Sequence, residues 1–281
     1  GNTQTFIEAQ KDDQRWFSFV HLMEPHDPYF ERPLNGVGYG RAEHEVPDHT
    51  ETVGDEPLID YLKRVYTDEI TAMDKDMGAF FQWMKDSGHY DNTVIVITSD
   101  HGEEFFEHGG WWHGTTLFEE QIHVPLIVKL PEQKNAGERI PWQVRVIDIA
   151  PTLASLAGAP LSSQWQGRSL FDASFDDGLA RMLALEEAEN TAQIEGASEE
   201  AAEVEVVVDD LSDLDRLAYS QENFEGYVLE SVRSMGWKFI AASNPKGAGE
   251  GDDTRRVLPA RSLFDMDGPA PDELQNQAGT G

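Results

Sequence analysis

The run Asp100-His101-Gly102-Glu103-Glu104-Phe105-Phe106-Glu107-His108-Gly109-Gly110-Trp111-Trp112-His113-Gly114 holds three of the chain's nine histidines and four carboxylates. It follows Thr93-Val94-Ile95-Val96-Ile97-Thr98, a β-branched stretch that reads as a strand buried on both faces of a parallel sheet. Open α/β sheets collect their ligands beyond the carboxyl ends of the strands. Asp100 and His101 would emerge there side by side, a carboxylate and an imidazole able to hold one divalent cation. Gly102, Gly109, Gly110 and Gly114 let the backbone fold sharply around such a centre. A second constellation, His21 and His26, is framed by Pro25 and Pro28 just after the apolar run Trp16 to Leu22, itself of strand length. A stiff proline-framed loop can hold an imidazole as proton donor to a leaving group. The same spacing also fits a histidine packed beside prolines in a turn. His44, His49 and His89 lie in polar loops and read as solvated surface, and His123, before Val124-Pro125, reads as structural.

These residues need elements to position them. Phe6 to Gln14 reads as a helix end, and the polar stretch to about Glu56 as a long loop. Leu58, Leu62, Val65, Tyr66, Ile70, Met73, Met77, Phe80, Phe81 and Met84 recur every three or four residues, the spacing of a long amphipathic helix that Gly88 terminates. Val124 to Lys129 reads as a second strand. Asp148 to Ala157 reads as a helix with Pro151 in its first turn and Gly158 beyond its end. Strand alternating with helix argues for an α/β layered fold. Between Ala173 and Asp215 stand fourteen acidic residues and one basic residue, Arg181, the bias of a solvated, flexible insertion. Tyr227 to Arg233, Trp237 to Ala241 and Ser262 to Met266 then read as a small antiparallel sheet, with a helix near Pro271 to Gln277. The expected division is therefore an α/β core over 1–172, an acidic insertion over 173–215 and a small antiparallel subdomain over 216–281.

Composition narrows the chemistry. With 21 Lys plus Arg against 53 Asp plus Glu, the net charge is −32, and such a surface repels a phosphate backbone, which argues against nucleic-acid binding. The absence of Cys removes disulfides, thiolate-held zinc and a thiol nucleophile from these 281 residues. No run of 18 apolar residues occurs, so no segment reads as a transmembrane helix. An acidic surface of this kind fits a saline environment.

Phe19-Val20-His21-Leu22-Met23-Glu24-Pro25-His26-Asp27-Pro28-Tyr29 resembles the PHxPY segment of the sulfatase family, within the alkaline phosphatase-like superfamily. Asp91-Asn92-Thr93 through Ser99-Asp100-His101-Gly102-Glu103 resembles the family's NTxxxxTSDHGE strand and metal loop. His113-Gly114-Thr115-Thr116-Leu117-Phe118-Glu119-Glu120, His123-Val124-Pro125-Leu126-Ile127 and Asp148-Ile149-Ala150-Pro151-Thr152-Leu153 follow in the family's order. Trp237-Lys238-Phe239 and Leu263-Phe264-Asp265-Met266 resemble its closing sheet. Each block is weak alone, and their order over nearly the whole chain is specific.

The resemblance implies a partial α/β/α sandwich followed by a small antiparallel sheet with a helix. It makes Asp100 and His101 metal ligands for one divalent cation, usually Ca²⁺, although an imidazole suits Mn²⁺ or Zn²⁺ better. It sets His113 against the anionic oxygens of the ester and His26 near the leaving-group oxygen. His108, Glu103 and His21 are the candidates for supporting these groups from outside the ligand shell. The family's nucleophile, a formylglycine made from Cys or Ser in Cys/Ser-x-Pro-x-Arg, belongs to the first half of such proteins. The nearest string here, Ser243-Asn244-Pro245-Lys246-Gly247, ends in Gly instead of Arg. The chain therefore resembles a carboxyl-terminal half acting on an anionic ester, a sulfated small molecule or glycan, in the periplasm or outside the cell. Two readings compete with sulfate-ester hydrolysis. One is a phosphodiesterase, phosphonate monoester hydrolase or phosphoglycerol transferase of the same superfamily, and the other is a non-catalytic acidic module that binds Ca²⁺. Oligomeric state is not legible in the sequence.

Overall fold

Apolar residues spaced three and four apart wind the longest element, helix α2 (Leu58–Asp86), and the computed structural model shows which part of that stripe is covered. The structure describes residues 2–11, 14–40, 47–140, 143–171, 217–224, 227–234, 237–243 and 261–266. The acidic stretch 173–215 and the helix expected near 271–277 lie outside the described residues. Before α2 come helix α1 (Asn2–Glu8) and two short hairpins, β1 (Tyr29–Phe30) with β2 (Gly38–Tyr39) and β3 (Thr52–Val53) with β4 (Glu56–Pro57). After it come β5 (Ile95–Thr98), β6 (Glu104–Phe105), β7 (Trp111–Trp112), helix α3 (Glu119–Ile122), β8 (Leu126–Lys129), helix α4 (Ile149–Leu156) and strands β9 (Ala218–Phe224), β10 (Tyr227–Arg233), β11 (Trp237–Ser243) and β12 (Arg261–Asp265). β5 pairs with β8 and β6 with β7, while the last four strands form an antiparallel sheet in the order β12-β11-β10-β9. Among the described residues, no helix is long and apolar enough to cross a membrane.

The expected helices at 58–84 and 148–157, the strands around 93–98 and 124–129 and the closing antiparallel sheet all form. Two expectations are corrected. Trp16 to Leu22 forms no strand, and Phe17 and Phe19 stand 71% and 81% exposed, because an apolar run becomes a strand only where a neighbour pairs its backbone. β5 is half-buried instead of enclosed on both faces, since β8 is its one ladder partner among the described residues.

The chain divides into two compact units. The first comprises Gly1–Val96, Phe105–Trp111 and Ile127–Lys134. Its core is the first half of α2, where Leu58, Tyr61, Leu62 and Val65 are buried with Ile7, Tyr29 and Phe105. Tyr29 meets Tyr66 edge-on at 5.6 Å and Phe105 at 6.0 Å. Glu69, on the buried face of α2, accepts the Phe30 amide at 2.8 Å and pairs with Arg32, which satisfies a carboxylate that burial would otherwise penalise.

The second unit comprises Ile97–Glu104, Trp112–Leu126 and Asn135–Gly281. Here Leu117 and Phe118 are buried against Leu229, Ile240 and Phe264 of the antiparallel sheet, with Phe118 and Phe264 edge-on at 6.0 Å. Beside this contact Glu119 Oε1 receives Lys238 Nζ at 2.9 Å and Arg233 Nε at 3.1 Å. Burial pushes the Glu119 carboxyl up, but Lys238, Arg233 and His123 together hold it below the ordinary glutamate range. Asp148, fully buried ahead of α4, accepts Arg145 Nη2 and the Arg168 amide at 2.9 Å each and fixes that turn.

Two outcomes follow from this packing. Phe264→Ala should lower the urea-unfolding free energy by about 3–5 kcal/mol, the cost of emptying a buried aromatic site. An unchanged midpoint would mean that the sheet does not rest on Phe118. Because the folded Glu119 carboxyl titrates lower than the unfolded one, its contribution to stability is complete above the ordinary glutamate range. That contribution disappears as pH falls through the folded value, so wild type should lose stability relative to Glu119→Gln on acidification, measured by urea unfolding across that range.

Candidate active site

Beyond β5 the chain turns at Ser99, whose hydroxyl donates to the His101 carbonyl at 2.6 Å. The His101 amide in turn donates to Asp100 Oδ1 at 3.1 Å. These local bonds bring Asp100 Oδ2 to 3.8 Å from His101 Nε2. The Gly102 carbonyl can only accept, so the 2.8 Å contact to His101 Nδ1 places the proton on Nδ1. Nε2 then keeps its lone pair, the form of imidazole that binds metals.

His113 joins this pair. Its ring stacks on that of His101 with centroids 4.0 Å apart and 27° between planes. Trp112 before it (φ 71°) and Gly114 after it (φ 77°) both lie in the left-handed region, so the backbone bends on each side of the imidazole. For a tryptophan that conformation costs on the order of 1–3 kcal/mol, and burial of its indole to 5% exposure offsets this. His113 Nδ1 lies 3.0 Å from Glu103 Oε1, and the Glu103 side chain is only 6% exposed. The carboxylate therefore orients the ring.

Helix α3 supports the loop from behind. The Gly102 amide donates to the Gln121 carbonyl at 2.8 Å, and a β-carbon on Gly102 would stand 2.1 Å from the Glu120 carbonyl oxygen, so this position requires glycine. Gln121 Nε2 donates to Glu104 Oε2 at 2.9 Å and to Thr116 Oγ1 at 2.6 Å in a fully buried network. Carboxylate oxygens of Glu104 and Glu120 also approach within 4.8 Å of each other.

The structure thus brings Asp100, His101, Glu103 and His113 together in the second unit. The other three candidates lie in the first. His26 donates from Nδ1 to the Asp27 carbonyl at 2.7 Å, with about half of its side chain exposed. His21 has its ring 6.4 Å from that of Phe19, and His108 occupies the turn between β6 and β7. His49, expected to be solvated, stacks on Phe106 at 4.4 Å within that unit, although half of its side chain remains exposed. Sequence reasoning missed Thr116, Gln121 and Lys238. No residue-type signal marks a glutamine or threonine as buried, and Lys238 sits inside only because Trp237 and Phe239 alternate outward at 49% and 36% exposure.

The sulfatase family profile matches residues 2–159, more than half of the chain, and the chain belongs to that family. It is 36% identical over 107 residues to an N-acetylglucosamine-6-O-sulfatase of Bacteroides thetaiotaomicron, covering 38% of this chain and 19% of that protein. Over 183 residues it is 28% identical to a choline-sulfatase of Rhizobium meliloti, covering 55% of this chain and 34% of that one. The chain therefore spans about a third or less of the length of these relatives. Among solved structures, a 2-O GAG sulfatase matches with TM-score 0.52 and 18% identity over 79% of this chain and 39% of its own. A phosphonate monoester hydrolase of Agrobacterium radiobacter matches with TM-score 0.52 and 20% identity over 78% and 37%. At these identities the likeness establishes the alkaline phosphatase-like fold.

Gly102→Ala should drive Cβ against the α3 backbone and lower stability by about 1–3 kcal/mol, the usual cost of overpacking, read as a drop in thermal-unfolding midpoint. A fully stable variant would show that the loop and α3 are not in contact.

Proposed function

We propose that this chain supplies the cation ligands and the anion-contacting side of a sulfuric ester hydrolase whose nucleophile comes from a segment outside residues 1–281. The observation that carries the reading is the stack of His101 on His113, which gathers Asp100, His101, Glu103 and His113 in a chain of the sulfatase family. Asp100 Oδ2 and the bare Nε2 of His101 are the donors for one divalent cation, and a carboxylate beside an imidazole fits such an ion. Ca²⁺ is the family's usual ion, while the imidazole favours Mn²⁺ or Zn²⁺. When bound, the ion offsets the negative charge of the ester.

The chain's own residues divide the remaining work. His113, with Nδ1 held by Glu103, presents Nε2–H to a non-bridging ester oxygen and stabilises charge there. His26, whose Nδ1 is bonded to the Asp27 carbonyl, is assigned, from its match to the family's PHxPY segment, the delivery of a proton to the leaving-group oxygen. His21 and His108 are assigned supporting positions. The absence of Cys and of a Cys/Ser-x-Pro-x-Arg string supports an external nucleophile, the formylglycine of family members. The exposed apolar run at Phe17 and Phe19 supports it too, since such a stretch fits a strand completed by further chain. The substrate class is a sulfated small molecule or glycan.

The test has two arms. Calorimetric titration of the 281-residue chain with Mn²⁺ and with Ca²⁺ should detect weak binding that Asp100→Ala abolishes, with no ester turnover by this chain. The complete polypeptide should hydrolyse an aryl sulfate, and His113→Ala should reduce its kcat about 100–1,000-fold. Turnover of a phenyl phosphonate in preference to the sulfate would replace this reading with the phosphonate hydrolase one. Cation binding by the complete polypeptide without turnover of either ester would leave the acidic Ca²⁺-binding module.

A further inference from the structure

The charges buried behind the site are costly and call for a reason. The Lys238 side chain is fully buried on β11, and its ammonium meets Glu119 Oε1 at 2.9 Å. The same oxygen receives Arg233 Nε at 3.1 Å. Arg233 is itself fixed, because its Nη1 donates to Gln143 Oε1 at 2.5 Å while Gln143 Nε2 donates back to the Arg233 carbonyl at 2.9 Å. A well-packed apolar side chain at position 238 would stabilise the fold as much or more, since taking an ammonium out of water offsets the attraction it gains. What a buried ion pair adds is direction, because it fixes where one particular carboxylate must lie.

That carboxylate opens α3, and α3 backs the candidate site. Glu119 is followed directly by Glu120, whose carbonyl abuts the α-carbon of Gly102, and by Gln121, whose carbonyl takes the Gly102 amide at 2.8 Å. Gly102 in turn supplies the carbonyl that holds His101 Nδ1 at 2.8 Å. The route from sheet to imidazole is thus Lys238, Glu119, the α3 backbone, Gly102 and His101, with no flexible side chain between α3 and the loop.

We propose that Lys238, with Arg233, is a positioning residue for the Asp100–His101 pair, acting through Glu119 and the α3 backbone. The assignment of a function to that pair rests on the sulfatase reading above; the mechanical link does not. It makes the C-terminal sheet a working part of the site and not an appendage.

The test uses the full 281-residue chain and the variants Lys238→Met, Lys238→Arg and Glu119→Gln. Amide hydrogen exchange at Gly102 reports the loop's seating on α3, and Leu229 and Ile240 report the sheet. In Lys238→Met the Gly102 amide should exchange at least about 10-fold faster while the sheet amides keep their protection, and Lys238→Arg should restore the wild-type rate. Mn²⁺ affinity should fall in parallel by about 10–100-fold, the range for removing a group that orients a ligand. Should Lys238→Met not fold, Glu119→Gln removes the pairing charge without changing shape and must give the same local acceleration. Wild-type Gly102 protection in the folded variant, or equal loss across the sheet, overturns the proposal. Mn²⁺ affinity that Asp100→Ala leaves intact would instead overturn the metal-site reading, with the exchange result still deciding the link.

Discussion

The constraint on which the loop after β5 depends is the approach of the Gly102 backbone to α3, where not even a methyl group fits between the Gly102 α-carbon and the Glu120 carbonyl. It converts a loop after a strand into a fixed ledge. With the Gly102 amide bonded to Gln121 and its carbonyl bonded to His101, one residue without a side chain sets the tautomer and direction of the imidazole that precedes it. Function is often carried by loops positioned on a rigid scaffold; this one is held at Gly102, beside Asp100 and His101.

The electrostatics run against the molecule's overall balance. A chain of net charge −32 should repel an anionic ester at long range. Near Asp100 and His101 the balance is different, since Glu103 is engaged by His113 and Glu119 by Lys238 and Arg233. Glu119 is thereby neutralised by two cationic partners, which lowers the local negative charge without a basic surface patch. Salt in the medium would screen the distant acidic residues far more than these close, partly buried pairs.

Much of this organisation was legible in the sequence, for reasons that differ by element. The β-branched run at 93–98 and the spaced apolar stripe of α2 are governed by local preference and periodicity, and both elements form. That Asp100 and His101 stand side by side past β5 was legible from the strand signal before them, and the structure sets Oδ2 and Nε2 3.8 Å apart. Trp16 to Leu22 was misread because composition specifies a wish for burial and not the partner that grants it. Lys238 was illegible for the converse reason: between Trp237 and Phe239 it looks like the solvent face, whereas the β11 register turns both aromatics outward and the lysine in. Only the position of Glu119, 119 residues away in the chain, explains the inversion.

That inversion bears on how the fold and the site depend on each other. In most sheets that pack on a helix, the inward positions are apolar and the contact tolerates sliding, because dispersion is short-ranged but not directional. Here the inward face of the closing sheet mixes Leu229, Ile240 and Phe264 with one ammonium, and the ammonium has a carboxylate to meet. The apolar residues supply adhesion; the ion pair removes the freedom to slide, since a displacement of one residue would strand a buried charge at a cost of several kcal/mol. The same restriction fixes α3, on whose backbone the Gly102 amide rests.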